Sequence, residues 1–182
     1  MILTLLLLAQ IPIVIHTSAG DIEAVLEDKK APITTSNFLR YVDAHRYHDG
    51  QFHRTVRTSP DNQPQSTIKI DVIQGGVNPT YKDQATWPAI ALERTSITGL
   101  KHLDGTLSMA RSTPDSATSD FFICIGDQPS LDLGGKRNPD GQGFAAFGRV
   151  TKGMDIVKKI QMSPFKDQAL TPPVRILSIV RK

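Results

Sequence analysis

Short apolar segments separated by turn residues follow one another along most of the chain. The segments 13–15 and 22–26 are rich in β-branched and aliphatic residues, and the small residues from Thr17 to Asp21 suit a hairpin turn between them. Farther along, similar runs recur about every ten residues, a spacing typical of an all-β sandwich or barrel. The last apolar run, 172–182, predicts a closing strand.

Two segments have the period of a helix. The first begins with Pro32, a residue favoured at the first helical position, and the second begins near Met154. Each carries an apolar face at helical spacing. These faces comprise Phe38, Leu39, Tyr41 and Val42 in the first segment and Met154, Val157 and Ile160 in the second. The pattern therefore predicts a mainly β protein with two α-helices.

The N-terminal residues differ from the rest. Residues 2–9 form an apolar run that resembles part of a secretory signal, without a basic residue before it or a small-x-small cleavage site after it. The run is too short to span a bilayer. We interpret residues 1–11 as a signal-like or extra N-terminal segment and residues 12–182 as one domain. Export to the periplasm or beyond is expected, with a cytoplasmic location as the alternative.

Composition narrows the function classes. The chain has 182 residues and a formal net charge of +3, a small excess that is scattered among apolar positions. A nucleic-acid surface needs a dense basic stripe, so we expect no nucleic-acid partner and no membrane partner. The only cysteine, Cys124, excludes an internal disulfide, and its apolar surroundings "FFICI" predict a buried, unreactive thiol.

Familiar catalytic and metal motifs are missing from the sequence. His45, His48 and His53 lie close together beside Asp49, but their spacing matches no metal motif, and solvated histidines near a helix end are the simpler interpretation. The chain has no G-x-S-x-G sequence for a serine hydrolase and no glycine-rich phosphate loop. The residues alone therefore favour neither a metal site nor a phosphate-binding loop.

One arginine requires an explanation. Arg54 lies in the strand-like run "QFHRTV", and no carboxylate is next to it in the sequence. A polar stretch, 58–67, separates this run from residues 68–72, where apolar and polar side chains alternate, so we predict a hairpin with a long tip and with Gln74 at the end of its second arm. Many strand arginines only cover apolar surface with their stems, so the residues alone leave the role of Arg54 open.

Several strings in order resemble the cyclophilin-type peptidyl-prolyl cis-trans isomerases, over residues 13–180. The strings that carry the resemblance are "FHR", "QGG", "LSMAR", "SDFFI" and "FGRV". The resemblance implies a closed eight-stranded antiparallel β-barrel capped by two α-helices, with a groove on its outer face for proline-containing peptides. It also implies an enzyme without a metal or organic cofactor that accelerates X-Pro rotation in peptides and unfolded proteins. We expect it to be a monomer. The alternative is a proline-peptide binding module with little or no turnover.

The resemblance also assigns roles to residues. Arg54 corresponds to the catalytic arginine, Gln74 to the glutamine that holds the substrate backbone, and Phe122 to the floor of the proline pocket. Phe147 corresponds to a structural phenylalanine of the barrel. The remaining expected substrate contacts are Phe52, Val72, Met109, Ala110, Leu131 and Phe144. Because no acid adjoins Arg54, its guanidinium is expected to be free for the substrate.

The sequence departs from the family pattern at several positions. The segment between the arginine and the glutamine is longer than usual, and Asp71 and Val72 stand where a Phe-Met pair lines the pocket. Ile68, Ile70 or Val72 could form that wall instead, depending on register. Other departures are Asp120 for a glutamine, Ser130 for a tryptophan and Phe144 for a histidine or tyrosine. We expect these changes to alter affinity and sequence preference, and the tip 58–67 to contact the client beyond the proline.

Overall fold

A computed structural model describes residues 10–81 and 87–182 of the chain. The apolar run 2–9 lies outside these residues. The strands are β1 (Ile11–Thr17), β2 (Gly20–Leu26), β3 (Gly50–Val56), β4 (Val72–Gly76), β5 (Thr106–Met109), β6 (Phe121–Cys124), β7 (Ala145–Lys152), β8 (Phe165–Lys166) and β9 (Ala169–Arg181). The helices are α1 (Pro32–Asp43), α2 (Thr95–Thr98) and α3 (Met154–Gln161).

Eight of the strands close into a barrel. Their order is β1-β2-β7-β5-β6-β4-β3-β9, every pairing is antiparallel, and β9 pairs again with β1. The two-residue strand β8 is added to one end of β9. Closure leaves the barrel strands without an open edge for pairing with other chains. The predicted eight-stranded antiparallel barrel is confirmed.

The first hairpin follows the sequence pattern. Thr17 pairs with Gly20 across a two-residue turn, and Gly20 has a φ of 138°, which favours glycine. The inward-facing positions of both strands are fully or almost fully buried: Ile13, Ile15, Ile22, Ala24 and Leu26. The side chains that point inward from β1 and β2 thus form one side of the barrel core.

Both predicted long helices are present and close the barrel ends. On α1, Phe38 packs its ring against Tyr47, Phe121 and Phe147 with ring centroids 5.1–5.4 Å apart. Phe147 is completely buried, as its expected structural role requires. The apolar face of α3 covers the other end, since this helix contacts β2, β3 and β4. The short helix α2 was not predicted.

Helix α1 receives its N-terminal cap from a distant residue. Ala31 precedes the helix and has no side chain that can cap it. Instead, Glu93 accepts hydrogen bonds from the backbone N–H groups of Ile33 (3.1 Å) and Thr34 (2.7 Å) and from the Thr34 hydroxyl (2.6 Å). Its negative charge also lies at the positive end of the helix dipole. A buried carboxylate thus ties α1 to the segment before α2.

We expect Glu93→Ala to lower the free energy of unfolding by about 1–3 kcal/mol, because it leaves buried N–H donors without acceptors. Equilibrium urea unfolding followed by circular dichroism measures the change. Glu93→Gln keeps one acceptor oxygen and should cost less. Equal stability of Glu93→Ala and the unchanged protein would contradict the capping role.

The second arm of the predicted long hairpin is shorter than the alternating pattern indicated. Strand β4 begins only at Val72, and residues 68–71 are not in a strand. Gln63 explains the difference: its side chain donates to the carbonyl of Ile70 (2.8 Å) and accepts from the N–H of Ile70 (3.3 Å). A side chain therefore satisfies the backbone groups that a strand partner would otherwise bind.

Candidate functional site

A row of residues crosses the outer face of the barrel on four adjacent strands. In register, Arg54 on β3 lies opposite Gln74 on β4, Gln74 opposite Phe122 on β6, and Phe122 opposite Ser108 on β5. Directly opposed residues project on the same side of a sheet. Sheet register therefore brings Arg54, Gln74 and Phe122 together.

An irregularity in β3 determines the direction of Arg54. Phe52 pairs with Gly75 and Arg54 pairs with Gln74, so His53 is an extra residue that bulges out of the ladder. Phe52 and Arg54 are two residues apart in sequence, so in a regular strand both side chains would face the same side of the sheet. The bulge lets Phe52 enter the core while Arg54 projects outward.

The outer row borders a groove of about 410 Å³. An apolar cluster separate from the barrel core forms its floor and walls, and includes Ile70, Val72, Phe122 and Leu131, with Ala110 and Phe144 packed against it. Seven of the nine expected site residues line this groove: Arg54, Val72, Gln74, Ala110, Phe122, Leu131 and Phe144.

The other two expected contacts lie elsewhere. Phe52 is completely buried and Met109 is 1% exposed, and both belong to the barrel core. Met109 pairs with Phe121, the inward neighbour of Phe122, so alternation places it on the inner side. The structure therefore places Phe52 and Met109 in the barrel core and not in the groove lining.

Ile70 and Val72 form the wall that the sequence left undecided. Both side chains line the groove and pack in the same cluster as Phe122. Ile68 is not part of the groove lining, and its carbonyl accepts a hydrogen bond from Arg137 at 2.5 Å. Two branched aliphatic side chains thus close the side of the pocket next to Gln74.

The guanidinium of Arg54 is held by amides and not by acids. Nε and Nη2 donate to Oε1 of Gln168 at 3.0 and 2.6 Å, and Nη1 donates to Oε1 of Gln74 at 3.1 Å. No ion pair to Arg54 occurs within the residues that the structure describes. The expectation of a free guanidinium was thus only half right, because amides fix it but each terminal nitrogen keeps a second N–H.

Burial and a neighbouring cation change the electrostatics of Arg54. Desolvation lowers the pKa of Arg54, and the positive charge of Arg137 lowers it further. Arginine nevertheless stays protonated in proteins, because its reference pKa is so high. The site therefore holds a permanent cation in a partly dry groove, where hydrogen bonds from it are stronger than in water.

Sequence reasoning missed Gln168, the main partner of Arg54. It lies in the turn between β8 and β9, where Asp167 and Gln168 have φ values of 49° and 71°. Its side-chain Nε2 donates to the carbonyl of Asn62 (2.7 Å), and its own carbonyl accepts from the N–H of Thr55 (2.9 Å). A short polar stretch between two apolar runs could have indicated the turn, but not its contact with Arg54.

Gln74 connects Arg54 to the carboxylate of Asp120, which also lines the groove. Its Nε2 donates to Oδ2 of Asp120 at 3.2 Å, and the same oxygen lies 3.5 Å from Nε2 of His53. Gly76 makes room for this arrangement, since a Cβ there would collide with the Asp120 carboxylate. Gln74 retains one amide N–H for a ligand.

Buried polar side chains support the pocket floor from behind. The ring of His102 stacks on Phe122 with centroids 6.0 Å apart, and its nitrogens lie 2.8 Å from Oδ1 of Asp132 and 2.9 Å from Oγ of Ser108. The order Asp-His-Ser is that of a hydrolase triad, but Ser108 is completely buried and cannot meet a substrate. Although burial opposes ionisation, hydrogen bonds from His102 keep the pKa of Asp132 below its usual value.

An ion pair fixes the opposite lip of the groove. Arg111 donates to both carboxylate oxygens of Asp140 (2.8 and 2.9 Å) and to the carbonyl of Gly143, and its guanidinium lies over the ring of Phe144. The hydrogen bonds from Arg111 lower the pKa of Asp140 to about 2. Phe144, edge-on to Phe122 at 5.3 Å, is therefore held in place as a groove wall.

The histidine group and the cysteine have other surroundings. His45 and His48 pack ring against ring at 4.8 Å, whereas His53 lies near Asp120. Among residues 10–81 and 87–182, no three His, Cys, Asp or Glu side chains are placed to hold a metal ion.

The Cys124 thiol is buried, and desolvation raises its pKa, which agrees with the predicted unreactive thiol. None of the helices in the described part of the chain is both long and apolar enough to cross a bilayer.

Comparison with known proteins decides the family. The model of the cyclophilin-type peptidyl-prolyl cis-trans isomerase family matches residues 12–181. The chain is a member of this family. The family predicted from the sequence strings is confirmed, and with it the class of enzyme, an isomerase of X-Pro bonds.

Several peptidyl-prolyl cis-trans isomerases are similar to this chain in sequence. Peptidyl-prolyl cis-trans isomerase A of Dickeya dadantii is 40% identical over 149 residues, which cover 81% of this chain and 70% of the relative. A peptidyl-prolyl cis-trans isomerase of Acinetobacter baylyi is 36% identical over 94% of this chain and 86% of the relative. Peptidyl-prolyl cis-trans isomerase B of Escherichia coli is 38% identical over 80% of this chain and 81% of the relative.

Solved cyclophilin structures share the fold. A cyclophilin-type isomerase of Cryptosporidium parvum superposes with a TM-score of 0.76 at 22% identity, covering 96% of this chain and 98% of that chain. The same protein was also solved in the presence of the dipeptide Ala-Pro, with a TM-score of 0.74 and 23% identity. The groove described above thus lies on a cyclophilin barrel.

We expect Gln168→Ala to lower kcat about 3- to 12-fold with a smaller change in KM, because Arg54 loses two hydrogen bonds that orient it. Isomerisation of a proline peptide measures the change, and the Arg54 Nε–H resonance in NMR should shift or broaden. Lys166→Ala, an exposed change in the same hairpin, is the matched control. An unchanged Nε–H resonance together with unchanged kcat would show that Gln168 does not position Arg54.

Proposed function

We propose that this cyclophilin accelerates rotation about exposed X-Pro bonds of extended or unfolded polypeptides, with Arg54 stabilising the twisted imide. Amide resonance sets a barrier of about 18–20 kcal/mol to this rotation, which makes uncatalysed exchange take tens of seconds. A catalyst must therefore bind the twisted state better than either planar state. In that state the proline nitrogen regains a lone pair and becomes a hydrogen-bond acceptor.

The observation that carries the proposal is the environment of Arg54. Its guanidinium borders the apolar pocket, amides hold it on two sides, and its terminal nitrogens keep N–H groups for a ligand. A donor fixed before the reaction does not reorganise as the imide twists. No proton is transferred, because arginine stays protonated throughout.

The apolar cluster supplies the second requirement, which is to hold the proline ring while the rest rotates. Phe122 forms the floor, Leu131 and Phe144 form one wall, and Ile70 and Val72 form the other. The free amide N–H of Gln74 lies in register beside Arg54 and supports its role as an anchor for a client carbonyl. Rotation is then confined to one side of the imide bond.

Magnitudes show that Arg54 is not sufficient alone. A hydrogen bond to a charged group contributes about 1.5–3 kcal/mol, equivalent to about 10- to 150-fold in rate. A 10⁵-fold acceleration would need about 7 kcal/mol. The remainder must come from the exclusion of water by the apolar walls and from the preorganised amide network.

We expect Arg54→Ala to lower kcat/KM at least ten-fold on a short proline peptide, without loss of the fold. A protease-coupled or NMR exchange assay measures turnover, and circular dichroism monitors the fold. Arg54→Lys keeps the charge but loses the planar group, so its activity should be intermediate. Arg149→Ala, which removes an exposed arginine on β7, is the control, and a fully active Arg54→Ala enzyme would contradict the role.

A proline-peptide binding module with little turnover is the second candidate. The observation that favours it is the wall of Ile70 and Val72, which differs from the Phe-Met pair implied by the family resemblance and would hold the proline ring differently. Peptide binding by NMR titration without any acceleration of cis-trans exchange would support the module and exclude the isomerase.

The clients, the oligomeric state and the location are also proposals. We propose that the protein acts as a monomer on unfolded clients; accelerated refolding of a proline-limited protein and sedimentation at the monomer mass would support this. We propose export on the basis of the apolar residues 2–9, with the cytoplasm as the alternative. N-terminal sequencing of the protein from fractionated source cells separates these locations.

A further inference from the structure

A second hollow adjoins the groove. It measures about 620 Å³, and one side of it is the inserted loop 61–66. Arg137 and Asn138 line both the groove and this hollow, while Gln168, the partner of Arg54, lines the hollow as well. The groove and the hollow therefore meet at Arg137 and Asn138.

Buried side-chain amides hold the inserted loop 61–66 in place. Asn62 and Gln63 are 3% and 2% exposed, although both are polar. The Asn62 side chain accepts from the N–H of Arg57 and donates to the carbonyl of Thr55. Gln63 binds the backbone of Arg57 and of Ile70. Because the buried amides are satisfied, the hollow exists before a ligand binds.

Arg137 stands at the junction of the groove and the hollow. Its Nη1 donates to Oε1 of Gln63 (3.1 Å), Oγ of Ser66 (2.7 Å) and the carbonyl of Ile68 (2.5 Å). These bonds all come from one nitrogen, so Nε and Nη2 keep their N–H groups for a ligand. The residues that the structure describes offer Arg137 no carboxylate as an ion-pair partner.

The junction of the groove and the hollow is positively charged, because Arg54 and Arg137 both line the groove there. Arg137 lies close enough to Arg54 that its positive charge, in addition to burial, lowers the pKa of Arg54, so two cations meet at this junction. Two acids also line the hollow, but Asp61 pairs with Arg57 (3.9 Å), and Asp167 belongs to the exposed turn beside Gln168. A client carboxylate would therefore find its attraction at Arg137.

We propose that the hollow is a second client subsite, which holds the polypeptide beyond the proline and selects an acidic side chain through Arg137. The proposal rests on the proposed isomerase function and names its substrate class, namely proline segments flanked on one side by Asp or Glu. A fixed guanidinium can bind a carboxylate through two N–H groups, which gives both attraction and geometry.

The test compares the enzyme with itself on matched peptides. Peptides with one Ala-Pro bond carry Glu, Gln or Lys at the second or third position after the proline, or at the same distances before it. NMR exchange spectroscopy gives kcat/KM for each. We expect Glu to exceed Lys by about 3- to 10-fold on one side of the proline, and the ratio to fall as salt is added.

Three variants separate charge from structure. Arg137→Gln should reduce the Glu-to-Lys ratio to about 1. Arg137→Lys keeps the charge and should retain most of the ratio, even if the loop is less firmly held. Lys136→Gln removes an equal charge from an exposed neighbour that lines neither cavity and should leave the ratio unchanged.

Two results would overturn the subsite. One is a Glu-to-Lys ratio of kcat/KM near 1 on both sides of the proline in the unchanged protein. This measurement does not depend on whether any variant folds. The other is a ratio that persists in Arg137→Gln. Turnover of a short neutral proline peptide that ends within the groove is measured in parallel: if it is absent, the proposed function fails, and if it is present without a ratio, only the subsite fails.

Discussion

A single extra residue in strand β3 decides where the arginine of this cyclophilin points. In a regular strand, Phe52 and Arg54 would share a face, and a guanidinium would have to enter the apolar core at high cost. The bulge at His53 separates them: the ring fills the barrel, and the charged group reaches the outer face beside Gln74. Groove, amide network and proposed chemistry all depend on this change of register.

The groove on the outer face has its own small apolar cluster, as the barrel interior has its core. Phe122, Leu131, Ile70 and Val72 form an apolar cluster outside the barrel, and satisfied polar side chains surround it. His102 and Ser108 support it from below, and Arg111 with Asp140 fixes its lip. Because these groups bond to each other, the pocket keeps its shape without a ligand, as catalysis by preorganisation requires.

Much of this architecture could be predicted from local pattern. Two β-branched runs around a small-residue turn predicted the first hairpin, helical spacing predicted α1 and α3, and the resemblance of ordered strings to a family predicted the barrel and most of the groove. The differences have two causes. Phe52 and Met109 were assigned to the groove by the family resemblance, whereas the bulge in β3 and the alternation along β5 place them in the core. Residues 68–71 alternate like a strand, but the Gln63 side chain binds the backbone of Ile70 there instead.

Residues that act across the chain were beyond sequence reasoning. Glu93 caps a helix that begins at Pro32, and Gln168 meets Arg54 across more than half of the sequence. Nothing local marks either residue, because a glutamine or glutamate at a turn is ordinary. Their positions follow only from barrel closure, which is a property of the whole fold.

Barrel closure also sets the order in which the protein can become active during synthesis. Strand β9 provides the pairing partners of both β1 and β3, and the turn just before it supplies Gln168. Before the C-terminal residues have been synthesised, strands β1 and β3 therefore lack their pairing partner β9, and Arg54 lacks its hydrogen bonds to Gln168. The site is completed only when this last strand emerges. The chain must therefore finish its own folding before it can catalyse the folding of other chains.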